Sequence, residues 1–424
     1  MDQFDKVIGY EREKEELRRL CDVLKNREKY LRLGVKIPKA ILLYGAPGLG
    51  KTLMAKAVIA ERGRAVFHCK KNKSNGEFVN DIKQTFESAI REAPSIIFFD
   101  DMDKFAEDNL QQNCNKEEFV AIQTGLEDIV DQDVFVIATA NDIDYLPESL
   151  LRDGRFGKQI EFSAPSFSDA VKIVAHFLSS KNLSEEVNAT SLAHILSGNS
   201  CAMLEEVVNE AGIYAAYANR DKITCEDIKR AVSRILLNRY EPQEIDAATR
   251  SRVAYHEAGH AVLRLLSDES VGCLAIGKCG KDGLGIGMCC SPSRRLYETA
   301  RDIEHDIMYL LAGRASIELQ FGEIDVGAVK DLRSAMTEIE HYVERNGGAG
   351  LEYLYCRSEY ASAPPYRLDT IHERKMHLLE ELYQRAKLLL SQNKQLLDQL
   401  AQALYEKGIL FYDEIMDIVG GVRP

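Results

Sequence analysis

Residues 40–52 read Ala-Ile-Leu-Leu-Tyr-Gly-Ala-Pro-Gly-Leu-Gly-Lys-Thr. The short apolar run at 40–44 looks like a strand buried on both faces. Residues 45–52 fit G-x-x-x-x-G-K-[ST], and a helix is expected from about Lys51. Strand, glycine loop and helix in that order make a phosphate cradle. Glycines let backbone N–H groups turn inward, and the new helix adds its positive end. On this reading Lys51 reaches the terminal phosphates and the Thr52 hydroxyl holds Mg²⁺. The binding set is Gly45, Ala46, Pro47, Gly48, Leu49, Gly50, Lys51, Thr52 and Leu53.

Two further apolar runs, 95–99 and 134–138, read as buried strands with helical stretches between them. Strands alternating with helices predict a parallel sheet covered on both faces. The run Ile96-Ile-Phe-Phe-Asp100-Asp101 delivers carboxylates at a strand end. Asp100 is placed to hold Mg²⁺, and Asp101 to polarise an attacking water. Ala138-Thr-Ala-Asn141 ends the third run on a polar side chain. In the loop after it, Arg152 and Arg155 are either ordinary surface charges or fingers for a neighbouring subunit's γ-phosphate.

Residues 166–236 lose the strand signal and read as helices, the clearest carrying Leu204, Val207, Val208, Ala211 and Ala215 on one stripe. Residues 238–250 are polar and read as a linker. Beyond them helices dominate, interrupted by a Gly/Cys-rich segment at 271–291 that suggests a small sheet. Leucines at helical spacing between 369 and 407 read as core packing. The expected domains are a nucleotide core (1–165), a helical lid (166–238), a linker (239–250) and a last domain (251–424).

Within that last domain His256-Glu-Ala-Gly-His260 fits H-E-x-x-H in an apolar helical frame. Histidines at i and i+4 share one helix face and can both reach one Zn²⁺, and Glu257 can serve as general base. Gly259 inside a helix costs about 1 kcal/mol against Ala, which predicts close approach of another chain segment. A third ligand is needed; Glu323, Asp325, Asp331, Glu338 and His341 are candidates, and spacing does not choose among them.

The chain has 424 residues and a formal charge of −13, with 45% hydrophobic and 29% charged residues. That mix belongs to a globular protein of several domains and argues against a nucleic-acid binder, which would be basic. No apolar run reaches the ~18 residues of a membrane helix, and no signal or transit peptide is present. Ten cysteines without C-x-x-C read as reduced thiols, and no Cys/His spacing suggests a structural zinc site.

A nucleotide cradle, a helical lid and then H-E-x-x-H resembles the FtsH-type AAA+ zinc metalloproteases, which carry an M41-like peptidase. The resemblance covers nearly the whole chain. It implies an α/β AAA+ module, a parallel sheet with flanking helices and a helical lid, followed by a mostly α-helical zinc protease domain. In residues 4–20, Val7, Ile8 and Gly9 would touch adenine. Val136-Ile-Ala-Thr-Ala-Asn141-Asp matches the family's sensor strand and places Asn141 near the γ-phosphate. Residues 150–160 match its second region of homology, which makes Arg152 and Arg155 fingers. Gly327-Ala-Val-Lys-Asp331-Leu resembles its aspartate-ligand segment and selects Asp331 as third ligand.

The resemblance further implies Zn²⁺, ATP and Mg²⁺ as cofactors, polypeptide substrates and a homo-hexamer. The expected activity is unfolding and degradation of proteins. The alternative is a nucleotide-gated peptidase with weak ATPase, acting on loosely folded chains. Three departures stand out. The family places membrane helices ahead of this region, whereas residue 1 here lies at the ATPase; a soluble cytoplasmic protein is expected, membrane-associated if the chain is truncated. Asp101 stands where the family has Glu, one methylene longer. The pore-loop stretch Lys73-Ser74-Asn75-Gly76 lacks the family's aromatic, and Phe78 is the nearest substitute.

Overall fold

The computed structural model describes residues 3–60, 63–71, 75–105, 117–235, 246–267, 269–279, 285–290, 299–324, 328–354 and 365–422. The chain forms two compact units, one of residues 1–180 with 198–206, the other of residues 181–197 with 207–424.

The first unit opens with helices α1 (Glu11–Lys25) and α2 (Arg27–Leu31), strand β1 (Ala40–Tyr44) and helix α3 (Lys51–Ile59). Then come β2 (Ala65–Cys69), α4 (Asn75–Arg91), β3 (Ser95–Phe99), α5 (Glu117–Asp128), β4 (Val134–Ala140), β5 (Lys158–Glu161) and α6 (Phe167–Ser179). The sheet order is β2-β3-β4-β1-β5, and every neighbouring pair is parallel. The three apolar runs are its inner strands, and nearly every residue of β1, β3 and β4 is buried. The two edge strands lay outside the sequence expectation. β2 is mostly half-exposed and β5 reads Lys-Gln-Ile-Glu, so neither shows the continuous apolar pattern of a strand covered on both faces. Leu17, Leu20 and Leu24 of α1 pack on one face of the sheet with Met54 and Val58 of α3. On the other face Phe86 of α4 and Ile122 and Leu126 of α5 join the core.

That second core also holds Phe78. As the nearest substitute for the missing pore-loop aromatic it is unsuited: Phe78 is 1% exposed, with its ring 4.9 Å from that of Phe105. On α4 it shares the buried stripe of Ile82 and Phe86, four and eight residues on, so helical periodicity sends it inward. Lys73 and Ser74 lie outside the described residues.

The second unit contains α7 (Ala189–Leu196), most of α8 (Cys201–Tyr217) and α9 (Cys225–Ile235). The stripe Leu204, Val207, Val208, Ala211 and Ala215 on α8 is buried as its spacing predicts. There follow α10 (Ala247–Leu266), β6 (Cys273–Cys279), β7 (Gly285–Cys290), α11 (Ala300–Phe321), α12 (Val329–Glu340), α13 (Pro365–Gln392), α14 (Lys394–Lys407), β8 (Ile409–Phe411) and α15 (Tyr412–Val422). β6 and β7 pair antiparallel, and β8 adds to β6 as a third strand from far along the chain. Most of the 239–250 stretch lies outside the described residues, as do Asp325 and Gly327.

Helix α10 starts where Asp246 accepts the Thr249 N–H as a cap. Its second half is buried almost all round, against α11 and the leucines of α14. Gly259 explains how close α11 lies: a Cβ there would fall 2.6 Å from the Ala312 carbonyl and 2.8 Å from Ser316 Cβ. The approach inferred from a helical glycine is therefore present, and the Ser316 hydroxyl donates across it to the Tyr255 carbonyl at 2.6 Å. Among the described residues no helix is long and apolar enough to cross a membrane.

Candidate functional site

The phosphate loop joins β1 to α3 as the motif requires. Lys51 is 5% exposed, and its Nζ donates to the Ala46 carbonyl at 2.8 Å and to Asn141 Oδ1 at 3.0 Å. Burial pulls its ammonium below the ordinary value, opposed by the charges of Asp103, Asp101 and Asp100. Thr52 Oγ1 donates to Asp100 Oδ1 at 3.1 Å. The loop lysine, the helix hydroxyl, the β3 carboxylate and the β4 amide thus converge at the carboxyl ends of parallel strands, where open α/β sheets bind ligands. Leu53 turns outward at 47% exposure, while Gly9 is buried and Ile8 half-buried.

Two residues missed in the sequence complete this cluster. Thr139 is fully buried in β4; its hydroxyl donates to Asp100 Oδ1 at 2.9 Å and accepts the Asp101 N–H at 2.9 Å. Asp103, 5% exposed, accepts the Asn141 backbone N–H at 2.9 Å and its side-chain amide at 3.2 Å. The available signal was the acid repeated two residues after Asp101. Asp101 itself adopts φ 56° and pairs with Lys104 at 2.8 Å. The two arginines lie apart from these contacts. Arg152 is exposed, and Arg155 donates to the Ser149 carbonyl at 2.5 Å and to Glu127 at 2.6 Å.

In the second unit, α10 presents His256 and His260 to Asp331 on the first turn of α12. His260 Nε2 stands 3.1 Å from His256 Nε2 and 3.6 Å from Asp331 Oδ2, and His256 Nε2 stands 3.2 Å from Asp331 Oδ2. Zinc bonds of about 2.0–2.2 Å in tetrahedral geometry imply ligand separations of about 3.3–3.6 Å, so these atoms can hold one such ion. They are the single His/Cys/Asp/Glu group of this kind among the described residues. Of the other candidate ligands, Glu323 pairs with Arg252 at 2.6 Å, and Glu338 and His341 stand outside the group. Burial raises the Asp331 carboxyl, but hydrogen bonds and charge from His256 and His260 outweigh it and hold the carboxyl well below its usual range.

Glu257 is 7% exposed, and burial pushes its carboxyl up to about 7. The His260 Nδ1–H donates to the Tyr309 carbonyl at 2.7 Å, which leaves Nε2 with the lone pair toward the site. This backbone acceptor on α11 has no side-chain signature in the sequence.

Comparison with known proteins agrees with this geometry. The ATPase family associated with various cellular activities (AAA) matches residues 41–164, and peptidase family M41 matches residues 243–418. A protein of Caldicellulosiruptor bescii is 31% identical over 98% of this chain and 72% of its own length. One of Bacillus subtilis is 30% identical over 98% and 70%, and one of Leptotrichia buccalis is 31% identical over 99% and 57%. Each is named an ATP-dependent zinc metalloprotease FtsH. The chain spans between 57% and 72% of the length of these relatives. It belongs to the FtsH family of ATP-dependent zinc metalloproteases.

Proposed function

We propose that this chain is an ATP-driven zinc endopeptidase that unfolds and degrades polypeptides as a homo-hexameric ring. The observation that carries this reading is the group of His256, His260 and Asp331 with the buried Glu257 carboxyl beside it. Structural zinc sites usually close their shell with four protein ligands, whereas a catalytic one keeps a position open. His256, His260 and Asp331 would hold the ion. Zinc supplies Lewis acidity to a scissile carbonyl and an acidified water. Glu257, buried beside the two histidines, would act as general base toward a water at the site and return the proton to the leaving amine. β7 is an edge strand of the three-stranded sheet among the described residues, and an extended substrate would add to it as a strand.

In the nucleotide unit, Thr52 and Asp100 would hold Mg²⁺, and Asp101 would orient the hydrolytic water. Lys51 would leave the Ala46 carbonyl to meet the phosphates, and Asn141, held by Asp103, would stand near the γ-phosphate. Arg152 and Arg155 would reach a neighbour's nucleotide, Arg155 after release from Glu127.

The test is degradation of an unstructured and of a folded polypeptide, with and without ATP, by wild type, Glu257→Gln and Lys51→Ala. We expect Glu257→Gln to cut neither substrate and Lys51→Ala to lose the folded one. Full peptide cleavage by Glu257→Gln, or ATP-independent cleavage of the folded substrate, overturns the reading.

A further inference from the structure

We propose that Arg264 is a positioning residue for the metal site, acting through Tyr309 on His260. The inference rests on the metal-binding reading above. Arg264 lies one helical turn beyond His260 on α10, and its side chain is 17% exposed. Its guanidinium sits 3.9 Å from the centroid of the Tyr309 ring. The same group donates through Nη1 to Glu269 and to Asp306, each at 2.6 Å. Glu269 lies just past the end of α10, and Asp306 stands on α11 three residues before Tyr309. Arg264 therefore clamps two carboxylates and one aromatic face, and two of those three groups belong to one turn of α11.

The contribution of that turn is the Tyr309 carbonyl. It accepts the His260 Nδ1–H at 2.7 Å, while the two rings lie 5.0 Å apart. A histidine ligand binds through one nitrogen only if the other carries the proton, and the acceptor at the second nitrogen sets both tautomer and ring angle. Here that acceptor is a main-chain oxygen, whose position moves with the helix as a whole. Stacking on Tyr309 and the charge-assisted bond to Asp306 hold that turn of α11 against α10. A planar cation serves both contacts; a lysine can keep the ion pairs but not the stack.

The experiment measures zinc affinity by chelator competition on the full chain, together with the d–d absorption of the cobalt-substituted protein. Wild type, Arg264→Lys, Arg264→Met and the double variant Glu269→Gln/Asp306→Asn are compared. Arg264→Met should weaken zinc binding about 10–100-fold, the range seen when an outer-shell partner of a metal ligand is lost. Its cobalt spectrum should shift, and ATP hydrolysis should be unchanged. Arg264→Lys should fall between it and wild type. If Arg264→Met does not fold, the double variant decides, since it removes the clamp's charges at unchanged volume and should weaken zinc in the same direction. Zinc affinity within twofold of wild type in a folded Arg264→Met, or in the double variant, with an unaltered cobalt spectrum, overturns the proposal. A wild-type chain that binds no stoichiometric zinc would instead defeat the metal reading itself.

Discussion

His256 lies directly against Gly313: a Cβ on residue 313 would fall 2.4 Å from His256 Cε1 and 2.5 Å from Nε2. A candidate metal-ligating atom of α10 therefore occupies space that α11 leaves free only because residue 313 has no side chain. Replacing Gly313 with Ala adds a methyl group where the imidazole stands. Helix propensity alone would favour Ala by about 1 kcal/mol, so the effects on helix and site have opposite signs. We expect Gly313→Ala to lose peptidase activity and zinc binding while ATP hydrolysis persists. Zinc titration and a peptide-cleavage assay check this; unaltered zinc affinity would show that the ring moves aside without cost.

Asp103 holds Asn141 by two hydrogen bonds at the end of β4. Asp103→Ala leaves a backbone N–H and a side-chain amide without their acceptor, a loss of about 1–3 kcal/mol. Asn141 in turn loses its register toward Lys51. ATP turnover should drop at least tenfold, with cleavage of a short unstructured peptide less affected. Steady-state ATPase rates compared with peptide cleavage decide it.

Phe78 is a core residue, so its removal should act on stability. Phe78→Ala is expected to cost about 3–5 kcal/mol, as for other buried aromatics. Thermal unfolding should show an early loss of the nucleotide unit. A variant with normal melting and a selective defect on folded substrates would return Phe78 to the role of substrate contact.

Asp227 supplies a pH test. Its carboxylate accepts from Arg220 Nη1 at 2.8 Å and from the Thr224 N–H at 3.0 Å, at the start of α9. Burial raises its pKa, but the Arg220 and Thr224 bonds outweigh it, and the net shift is downward. A depressed folded-state pKa contributes stability that is present above the unfolded value, about 3.9, and is lost as pH falls through the folded one. Asp227→Asn should therefore be less stable than wild type by about 1–3 kcal/mol at neutral pH. The gap should begin to narrow at about pH 4 and close only below the depressed folded-state value. Denaturant unfolding at pH 7 and at steps down through acid pH measures this; a gap of constant size across the series would assign the loss to packing.

Much of this molecule is local pattern. The cradle from Gly45 to Thr52, the inner strands and the paired histidines on α10 each arise from a period or a spacing, because backbone geometry ties neighbours in sequence to one face or one turn. That made the fold class and two of the three candidate metal ligands legible from the residues alone. Asp331 is different. Its distance of 75 residues from His256 carries no geometric information, and spacing left it equal to four other candidates. Only the packing of α11 on α10 and of α12 on α11 brought its carboxylate to within 3.2 Å and left Glu338 and His341 aside. The same holds for the Tyr309 carbonyl, which any residue type would supply, and for the edge strands, whose half-solvated faces need no apolar run. Gly313 is the clearest case: its sequence neighbours show an ordinary helix, and the reason for the glycine is an imidazole on another one.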